Sequence, residues 1–394
     1  MACIEKRGNS FRIRVKIDGY TYTKTWKPPK DLAPSKAKKE LNKAVVLFEE
    51  ECKKGKVAKG IGNITLQDFI DEYYLPYEKE HIEVTTYDGY VSVINMYIKP
   101  MIGFFKLKKI SYLHIQKFVD GLCQCEVHNN SKKRKLSPST IQRHYGILQG
   151  IFRYAYKMDF IPYNPCTADR ITLPRKEEKE IKILTKEETK HIFELLKNEP
   201  LQKQVLFHFA INSGCRMGEI VALKWEDIDF NNNVVKISKS AYRLTGDKDN
   251  RYKKTKTRNI RNIVIPSYII ELLRKWKVEQ AKLQLSLGDA WKGDNFIFIQ
   301  ADGKNMFYKT PSTMWKKFLK KYNIDYVNFH ALRHTSGTLL LSNGIDIKNV
   351  GARLGHSQMK TTARYVHYVE AIDRHSADIF DNMFGSDNKK KMVP

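Results

Sequence analysis

The stretch 329–368 reads FHALRHTSGTLLLSNGIDIKNVGARLGHSQMKTTARYVHY, and it decides how the rest of the chain is interpreted. It carries His330, Arg333, His356 and Tyr365 among apolar residues at helical spacing. An arginine fork fits phosphate oxygens, and a histidine donates or accepts a proton near neutral pH. A tyrosine can form a covalent intermediate with the group that it attacks. Together these residue types predict a phosphoryl-transfer site that uses no metal.

The charge of the whole chain points to the kind of partner. Its 394 residues include 70 Lys and Arg against 43 Asp and Glu, which gives a formal net charge of +27. Such an excess favours a polyanion, and nucleic acid is the commonest one. A basic protein that is merely well solvated, or one that meets acidic lipid, is the alternative. The hydrophobic share of 42% is ordinary for folded domains, and the length allows two or three of them.

The cysteines and the apolar runs exclude several other classes. Of six cysteines only Cys123 and Cys125 are close, and their one-residue gap is not that of a zinc site. We therefore expect reduced thiols, no bound metal and no cofactor. The N-terminus has no signal-peptide pattern, and no run of 18 apolar residues occurs. These features predict a cytoplasmic protein that neither spans a membrane nor is secreted.

The first sixty residues form a basic segment with a strand pattern. Residues 11–17 alternate apolar and cationic side chains, Asp18-Gly19 is a hairpin signal, and 20–26 continue the alternation. A Lys/Glu-rich amphipathic helix follows, so residues 1–60 are predicted to be a small sheet plus one helix. The cationic face is either simply solvated or lies in a DNA groove. The candidates for groove contact are Arg12, Arg14, Lys16, Tyr20 and Tyr22.

Residues 64–170 have a helical pattern throughout. Apolar residues recur at spacings of three and four, which predicts four helices, and Pro138 marks the start of the last one. A polar loop, HNNSKKRK at 128–135, is expected between the last two helices. This loop is either solvated or touches backbone phosphates through Lys132, Lys133 and Arg134. The segment is interpreted as a helical DNA clamp.

Residues 180–394 are predicted to be one mainly helical domain with a small antiparallel sheet, built from 234–237 and 262–265. The motif SGCRMGEI at 213–220 places Arg216 at the start of a helix, where backbone N–H groups also face outward. Glu219 is then placed to orient a cation. Lys256 lies in the turn before the second strand. The whole chain is thus expected to be an α+β multidomain protein.

At this point a family resemblance is clear. Arg216 in SGCRMGE, Lys256 in KTKT, the motifs HALRH and LGH, and Tyr365 nine residues after His356 resemble the tyrosine recombinase family. More narrowly, the layout is similar to the integrases of temperate phages and integrative conjugative elements. The resemblance implies an arm-binding domain at 1–60, a core-binding domain at 64–170 and a catalytic domain at 180–394. The motifs themselves cover 213–365.

The resemblance also implies a chemistry for the site. Arg216 and Arg333 would clamp the phosphate, and Tyr365 would attack phosphorus to form a 3′-phosphotyrosyl link with a free 5′-hydroxyl. Lys256 would protonate that leaving group. Because the bond energy is kept in the phosphotyrosine, a second 5′-hydroxyl can reverse the step without ATP.

The remaining assignments concern neighbouring residues. His330 would assist proton transfer, His356 would hydrogen-bond a non-bridging oxygen, and Glu219 would orient Arg216. Tyr368 is the rival nucleophile, although the spacing from His356 favours Tyr365. The amphipathic tail 369–383 either packs on its own domain or docks on a neighbouring protomer, as the resemblance implies.

The predicted activity is therefore site-specific recombination that integrates and excises a mobile element through a Holliday junction. The implied partners are double-stranded DNA with core and arm sites, a homotetramer on that DNA, and an excisionase or host bending protein. The protein would act at the bacterial nucleoid. Two alternatives stay open: a type IB topoisomerase-like enzyme, and a catalytically silent DNA-binding regulatory protein. A metal-dependent nuclease is disfavoured, because the sequence has no acidic ligand cluster.

Overall fold

The computed structural model separates into two compact units, Met1–Glu178 and Lys179–Pro394. No helix in the part of the chain that the structure describes is long and apolar enough to cross a membrane. The described residues are 2–7, 10–17, 20–29, 34–53, 64–129, 132–167, 169–176, 182–254 and 260–363.

The N-terminal region is an antiparallel sheet covered by one helix. Its three strands lie side by side in the order in which they follow along the chain. The helix packs on one sheet face through Leu41 and Phe48, which meet Ile13 and Val15 in a small buried core. This arrangement confirms the predicted small sheet plus one helix, and the sheet has three strands. The elements are β1 (Ala2–Arg7), β2 (Ser10–Ile17), β3 (Tyr20–Trp26) and α1 (Pro34–Lys53).

One predicted DNA contact in this sheet is wrong. Tyr22 pairs with Val15 across the sheet and is 8% exposed, so its ring belongs to the core under α1. Arg14 pairs with Thr23 instead and lies on the opposite face, because neighbouring residues in a strand alternate between faces. The Arg14 side chain is exposed and 3.2 Å from Glu5. The side chains of Lys16 and Tyr20 lie outside the described residues.

The next region is helical, with one buried core along its helices. Two of its helices continue into wider π-helical segments, at Ile70–Tyr74 and Ile94–Gly103. The core includes Phe69, Ile98, Phe118 and Phe152. The four predicted helices are confirmed, the first two as composites. The α-helices are α2 (Leu66–Phe69), α3 (Leu75–His81), α4 (Val84–Val93), α5 (Tyr112–Gln124) and α6 (Pro138–Lys157).

The basic stretch between α5 and α6 is not an irregular loop. It forms a two-stranded antiparallel ribbon, β4 (Glu126–Asn129) and β5 (Lys132–Lys135). Lys133 and Arg134 are exposed on it, and the Lys133 ammonium lies 3.6 Å from Glu126. The side chain of Lys132 lies outside the described residues. The cations are thus carried by extended backbone, where successive side chains point to opposite faces.

The second unit is built around α8 (Leu201–Ser213), whose residues from Val205 to Ile211 are all buried. The other helices are α7 (Lys186–Leu196), α9 (Met217–Val221), α10 (Ser267–Leu287), α11 (Thr310–Lys321), α12 (Ala331–Ser342), α13 (Ile347–Leu354) and α14 (Met359–Ala363). An apolar helix such as α8 belongs inside a core, and α7, α10, α11 and α12 all pack on it.

The sheet of this unit is small and antiparallel, as predicted, with β7 between β10 and β6. Its strands are β6 (Ile228–Asp229), β7 (Val234–Ile237) and β10 (Arg261–Val264). The long polar turn expected between β7 and β10 contains a second ribbon, β8 (Lys239–Tyr242) and β9 (Arg251–Lys254). Fold class is therefore confirmed as α+β, with two more ribbons than the sequence indicated.

Gly218 offers a test of how α9 is held. A methyl group there would lie 2.5 Å from the carbonyl oxygen of Ala241 and 2.7 Å from Ser240 Oγ, so α9 packs directly on β8. We expect Gly218→Ala to lower the free energy of unfolding by about 1–3 kcal/mol through overpacking. Thermal unfolding of the purified protein measures this change.

The matched control is Gly146→Ala, on the exposed side of α6. A methyl group at Gly146 meets no atom within 4 Å, so the substitution is expected to stabilise by about 0.5–1 kcal/mol. Equal or greater stability of Gly218→Ala would contradict the close approach of α9 and β8.

Candidate active site

The site begins where α8 ends. Gly214 follows the helix with φ of 61°, a left-handed conformation in which glycine carries no steric penalty. A side chain there would also collide with Leu354, since a Cβ would lie 2.3 Å from its Cδ2. The chain therefore reverses sharply and delivers Arg216 to the start of α9, with φ of −68° and ψ of 146°.

Arg333 is buried beside this turn. It lies in the first turn of α12, is only 3% exposed, and its Nη1 donates to the carbonyl oxygen of Gly214 at 2.7 Å. The bond fixes one end of a guanidinium group that has five donors in a rigid plane. A buried cation of this kind is preorganised to meet an anion, because its direction is set before the anion arrives.

Arg216 is held from two sides. Its Nη1 donates to Glu219 Oε1 at 3.0 Å, and its Nη2 donates to the carbonyl oxygen of Gly355 at 3.1 Å. The Arg216 side chain is 41% exposed, in contrast to the buried Arg333. Arg333 is thus the buried arginine of the site, and Arg216 is the partly exposed one.

Glu219 is the buried anion that organises these cations. It is 2% exposed and accepts from the backbone N–H of Arg216 at 2.9 Å and from Arg261 Nη2 at 2.8 Å. Burial alone would raise its pKa, but the hydrogen bonds and charges of Arg261 and Arg216 lower the pKa below the usual value. Glu219 is therefore a carboxylate at neutral pH, and it accepts from both the backbone and the guanidinium group of Arg216.

Arg261, the first residue of β10, was missed by the sequence reasoning. Besides its two bonds to Glu219, its Nε donates to the carbonyl oxygen of Arg353 at 2.8 Å. The side chain is 9% exposed. A signal for it existed: Glu219 stands in an apolar run, and a buried carboxylate needs a buried cation. The sequence did not say which of many cations would fill that role.

His356 follows a left-handed turn at Gly355, whose φ is 72°. Its Nδ1 lies 2.8 Å from Oγ1 of Thr362, in α14. Burial first, and then the positive charges of Arg333 and Arg216, lower the pKa of His356 to about 4. The ring is therefore neutral at pH 7, with a proton on only one of its nitrogens.

His330 directly precedes α12 and lies near the positive charges of Arg333 and Arg216. The pKa of His330 is lowered by partial burial and then by the charges of Arg333 and Arg216, although much of the residue is exposed. Its ring meets that of His334 edge-on, with centroids 5.1 Å apart. A neutral imidazole at this place can accept a proton.

The structure thus brings five predicted residues together: Arg216, Glu219, His330, Arg333 and His356. Lys256, Tyr365 and the rival Tyr368 lie outside the described residues. Within the described ranges no group of three or more His, Cys, Asp or Glu side chains is arranged to hold a metal ion.

Comparisons with known proteins identify the family of this chain. Residues 182–371 match the phage integrase family, and residues 65–123 match the N-terminal SAM-like domain of phage integrases. The chain is 30% identical over 362 residues to the tyrosine recombinase XerC-like protein of Caldanaerobacter subterraneus subsp. tengcongensis, covering 85% of this chain and 90% of that one. It is 28% identical over 302 residues to the ICEBs1 integrase of Bacillus subtilis, covering 75% and 77%.

Solved structures show the same fold. The Tn1549 transposon integrase in complex with a circular intermediate DNA superimposes with a TM-score of 0.64 at 18% identity, covering 77% of this chain and 94% of that one. A lambda integrase dimer bound to a COC′ core site gives 0.57 at 17% identity, covering 92% and 93%. The chain belongs to the phage integrase family of tyrosine recombinases. This membership confirms the family predicted from the motifs, with site-specific recombination as the class of reaction.

Proposed function

We propose that this chain integrates and excises a mobile element by cleaving and rejoining DNA through a 3′-phosphotyrosyl intermediate at Tyr365, with a Holliday junction between the two strand exchanges. The observation that carries the proposal is the convergence of Arg216, Arg333 and His356. Two arginine forks and a neutral imidazole around one place suit a phosphate whose charge grows as phosphorus becomes five-coordinate.

The proposed step balances as a transesterification. The Tyr365 oxygen attacks phosphorus, the bond from phosphorus to the 5′-oxygen breaks, and that oxygen leaves as a hydroxyl with a proton from Lys256. The phenolic proton passes to His330, whose lowered pKa leaves its ring neutral and able to accept. No net hydrolysis occurs, so the reverse reaction with another 5′-hydroxyl rejoins DNA. The step needs neither ATP nor a metal ion.

The proposed partner is double-stranded DNA. The net charge of +27 and the two integrase structures bound to DNA support it. In this proposal the arm sites contact residues 1–60 through Arg12, Arg14 and Lys16, and core sites contact the exposed Lys133 and Arg134. Four protomers act together on DNA at the nucleoid, and the tail 369–383 of each docks on a neighbouring protomer. An excisionase or a host DNA-bending protein determines whether integration or excision occurs. The tail lies outside the described residues.

The experiment is the trapping of a covalent complex. The protein is incubated with a nicked DNA that carries a candidate attachment site, in the presence of chelator, and the products are separated on a denaturing gel. We expect an adduct with the natural protein and with Tyr368→Phe, and complete loss with Tyr365→Phe, because the phenylalanine has no nucleophilic oxygen.

Each other outcome has a distinct meaning. Loss with Tyr368→Phe and retention with Tyr365→Phe would move the nucleophile to Tyr368. No adduct on DNA that the protein demonstrably binds at its own site would support a silent regulatory protein. Relaxation of supercoiled DNA without exchange between two duplexes would support a topoisomerase. An adduct that needs added metal would contradict the proposed chemistry.

A further inference from the structure

Thr362 is a buried hydroxyl next to the proposed phosphate site. It is 1% exposed, and its Oγ1 lies 2.8 Å from His356 Nδ1. The helix α13 approaches it closely at Gly351, where a Cβ would lie 3.0 Å from the same Oγ1. A larger residue at 351 would displace the hydroxyl. The packing therefore holds Thr362 against one edge of the imidazole ring.

The contact allows two arrangements of protons. In one, the Thr362 hydroxyl donates to Nδ1, and the ring proton is on Nε2. In the other, Nδ1–H donates to Oγ1, and Nε2 carries a lone pair. A hydroxyl serves equally as donor or acceptor, so the distance alone does not choose between them. The place of the ring beside the proposed phosphate does.

We infer that Thr362 is a positioning residue that donates to His356 Nδ1 and thereby keeps the proton on Nε2, where it faces the phosphate. This inference rests on the proposed function of the site. Second-neighbour hydrogen bonds set the tautomer of functional histidines in the same way at metal centres.

Because the His356 ring carries a single proton, the nitrogen that holds this proton decides whether the ring can donate to the phosphate. Burial, and then the charges of Arg333, Arg216 and Arg261, disfavour a charged imidazolium, so His356 has only one proton to offer. If that proton were on Nδ1, the lone pair of Nε2 would point at an anionic oxygen and repel it. With Thr362 as donor, the same nitrogen becomes an N–H donor whose direction is fixed before DNA binds.

Thr362 also precedes Tyr365 by only three residues in the sequence. The hydrogen bond therefore connects the LGH turn, which carries the phosphate-binding histidine, to the segment that leads into the proposed nucleophile. A change at Thr362 acts on the site through His356 and not by touching DNA.

The direct test is the tautomer of His356, read from long-range proton–nitrogen NMR spectra of the full chain labelled with nitrogen-15. The signal is assigned with a His356→Gln variant. We expect the natural protein and Thr362→Ser to show the proton on Nε2, since serine keeps the hydroxyl. Thr362→Val, which has the same shape without the hydroxyl, is expected to show a mixture of tautomers.

The rate of covalent adduct formation gives the second readout. We expect Thr362→Val to be about 10- to 100-fold slower, as is typical when a second-neighbour hydrogen bond is lost, and Thr362→Ser to be within a few-fold of the natural protein. Thr361→Val makes the same change at an exposed neighbour and should leave both the tautomer and the rate unchanged.

The outcomes separate this inference from the proposed function. A proton on Nδ1 in the natural protein overturns the inference whether or not an adduct forms. An unchanged tautomer and rate in Thr362→Val overturn it too. Absence of the adduct in the natural protein counts against the proposed function, whereas the NMR result still decides the tautomer. If Thr362→Val does not fold, the natural protein and Thr362→Ser suffice.

Discussion

Arg333→Lys is expected to slow formation of the covalent adduct by about 10²- to 10³-fold, with little change in DNA binding. Lysine keeps the charge, but its compact ammonium cannot bond the Gly214 carbonyl and also present a second, fixed pair of donors to a phosphate. The loss falls on the chemical step, because the charge on the non-bridging oxygens grows there. Single-turnover cleavage of nicked DNA measures it.

The matched control is Arg274→Lys. Arg274 also donates to a backbone carbonyl, that of Phe230, at 2.8 Å, but it lies on the exposed side of α10. Its replacement should leave the cleavage rate unchanged. Cleavage by Arg333→Lys within a factor of three of the natural rate would remove Arg333 from the phosphate clamp. Gel-shift titration of both variants shows whether binding is preserved.

Glu219→Gln is expected to lower the free energy of unfolding by about 3–5 kcal/mol. The neutral amide leaves the buried guanidinium of Arg261 without its counter-charge, and it loses an acceptor for the Arg216 fork. Because Arg216 then loses its orientation, adduct formation should fall as well. Denaturant unfolding of the full chain, monitored by tryptophan fluorescence, measures the stability.

The control is Glu279→Gln on α10. Glu279 pairs with Lys282 at 3.0 Å, but both side chains are more than half exposed, and such pairs contribute little. We expect a change below about 1 kcal/mol there. A loss of the same small size for Glu219→Gln would show that the ion pairs of Glu219 with Arg216 and Arg261 do not stabilise the fold.

The pH dependence follows from the same carboxylate. The pKa of Glu219 is lower in the folded protein than in the unfolded chain, so its contribution is fully present above the unfolded value. That contribution is lost as pH falls through the folded value. The natural protein should therefore lose stability faster than Glu219→Gln between about pH 5 and pH 3. Parallel curves for the two proteins would contradict a lowered pKa.

Much of the site could be predicted from the sequence, because its residues stand in short motifs with local structure. A glycine that directly follows an apolar helical run, as Gly214 does, commonly ends the helix. The next helix then begins close to Arg216. The buried partner Arg261 could not be predicted. Its bond to Glu219 joins residues 42 positions apart, and no local period records such a pairing.

The same reason explains the errors in the fold. Nearness in sequence groups Tyr22 with the cationic residues of the sheet, whereas the register of β2 and β3 pairs it with Val15. The ribbon β4–β5 carries few apolar residues, so the alternation that reveals a strand is absent. In the ribbon β8–β9 all four residues of β9 are exposed, so no alternation of buried and exposed residues marks this strand either. Pairing, not composition, makes these segments extended.

The hydrogen bonds of the site join residues that are far apart in the sequence, and this determines when the site can form during synthesis of the chain. The bond from Arg333 to Gly214 spans 119 residues, and that from Arg216 to Gly355 spans 139. A ribosome adds residues from the N-terminus, so the first bond cannot form before residue 333 has been added, nor the second before residue 355. The basic segments 1–60 and 128–135, for which DNA contacts are proposed, are synthesised before either residue. Under the proposed function, a growing or prematurely terminated chain can therefore bind DNA through these segments before the residues needed for cleavage are in place.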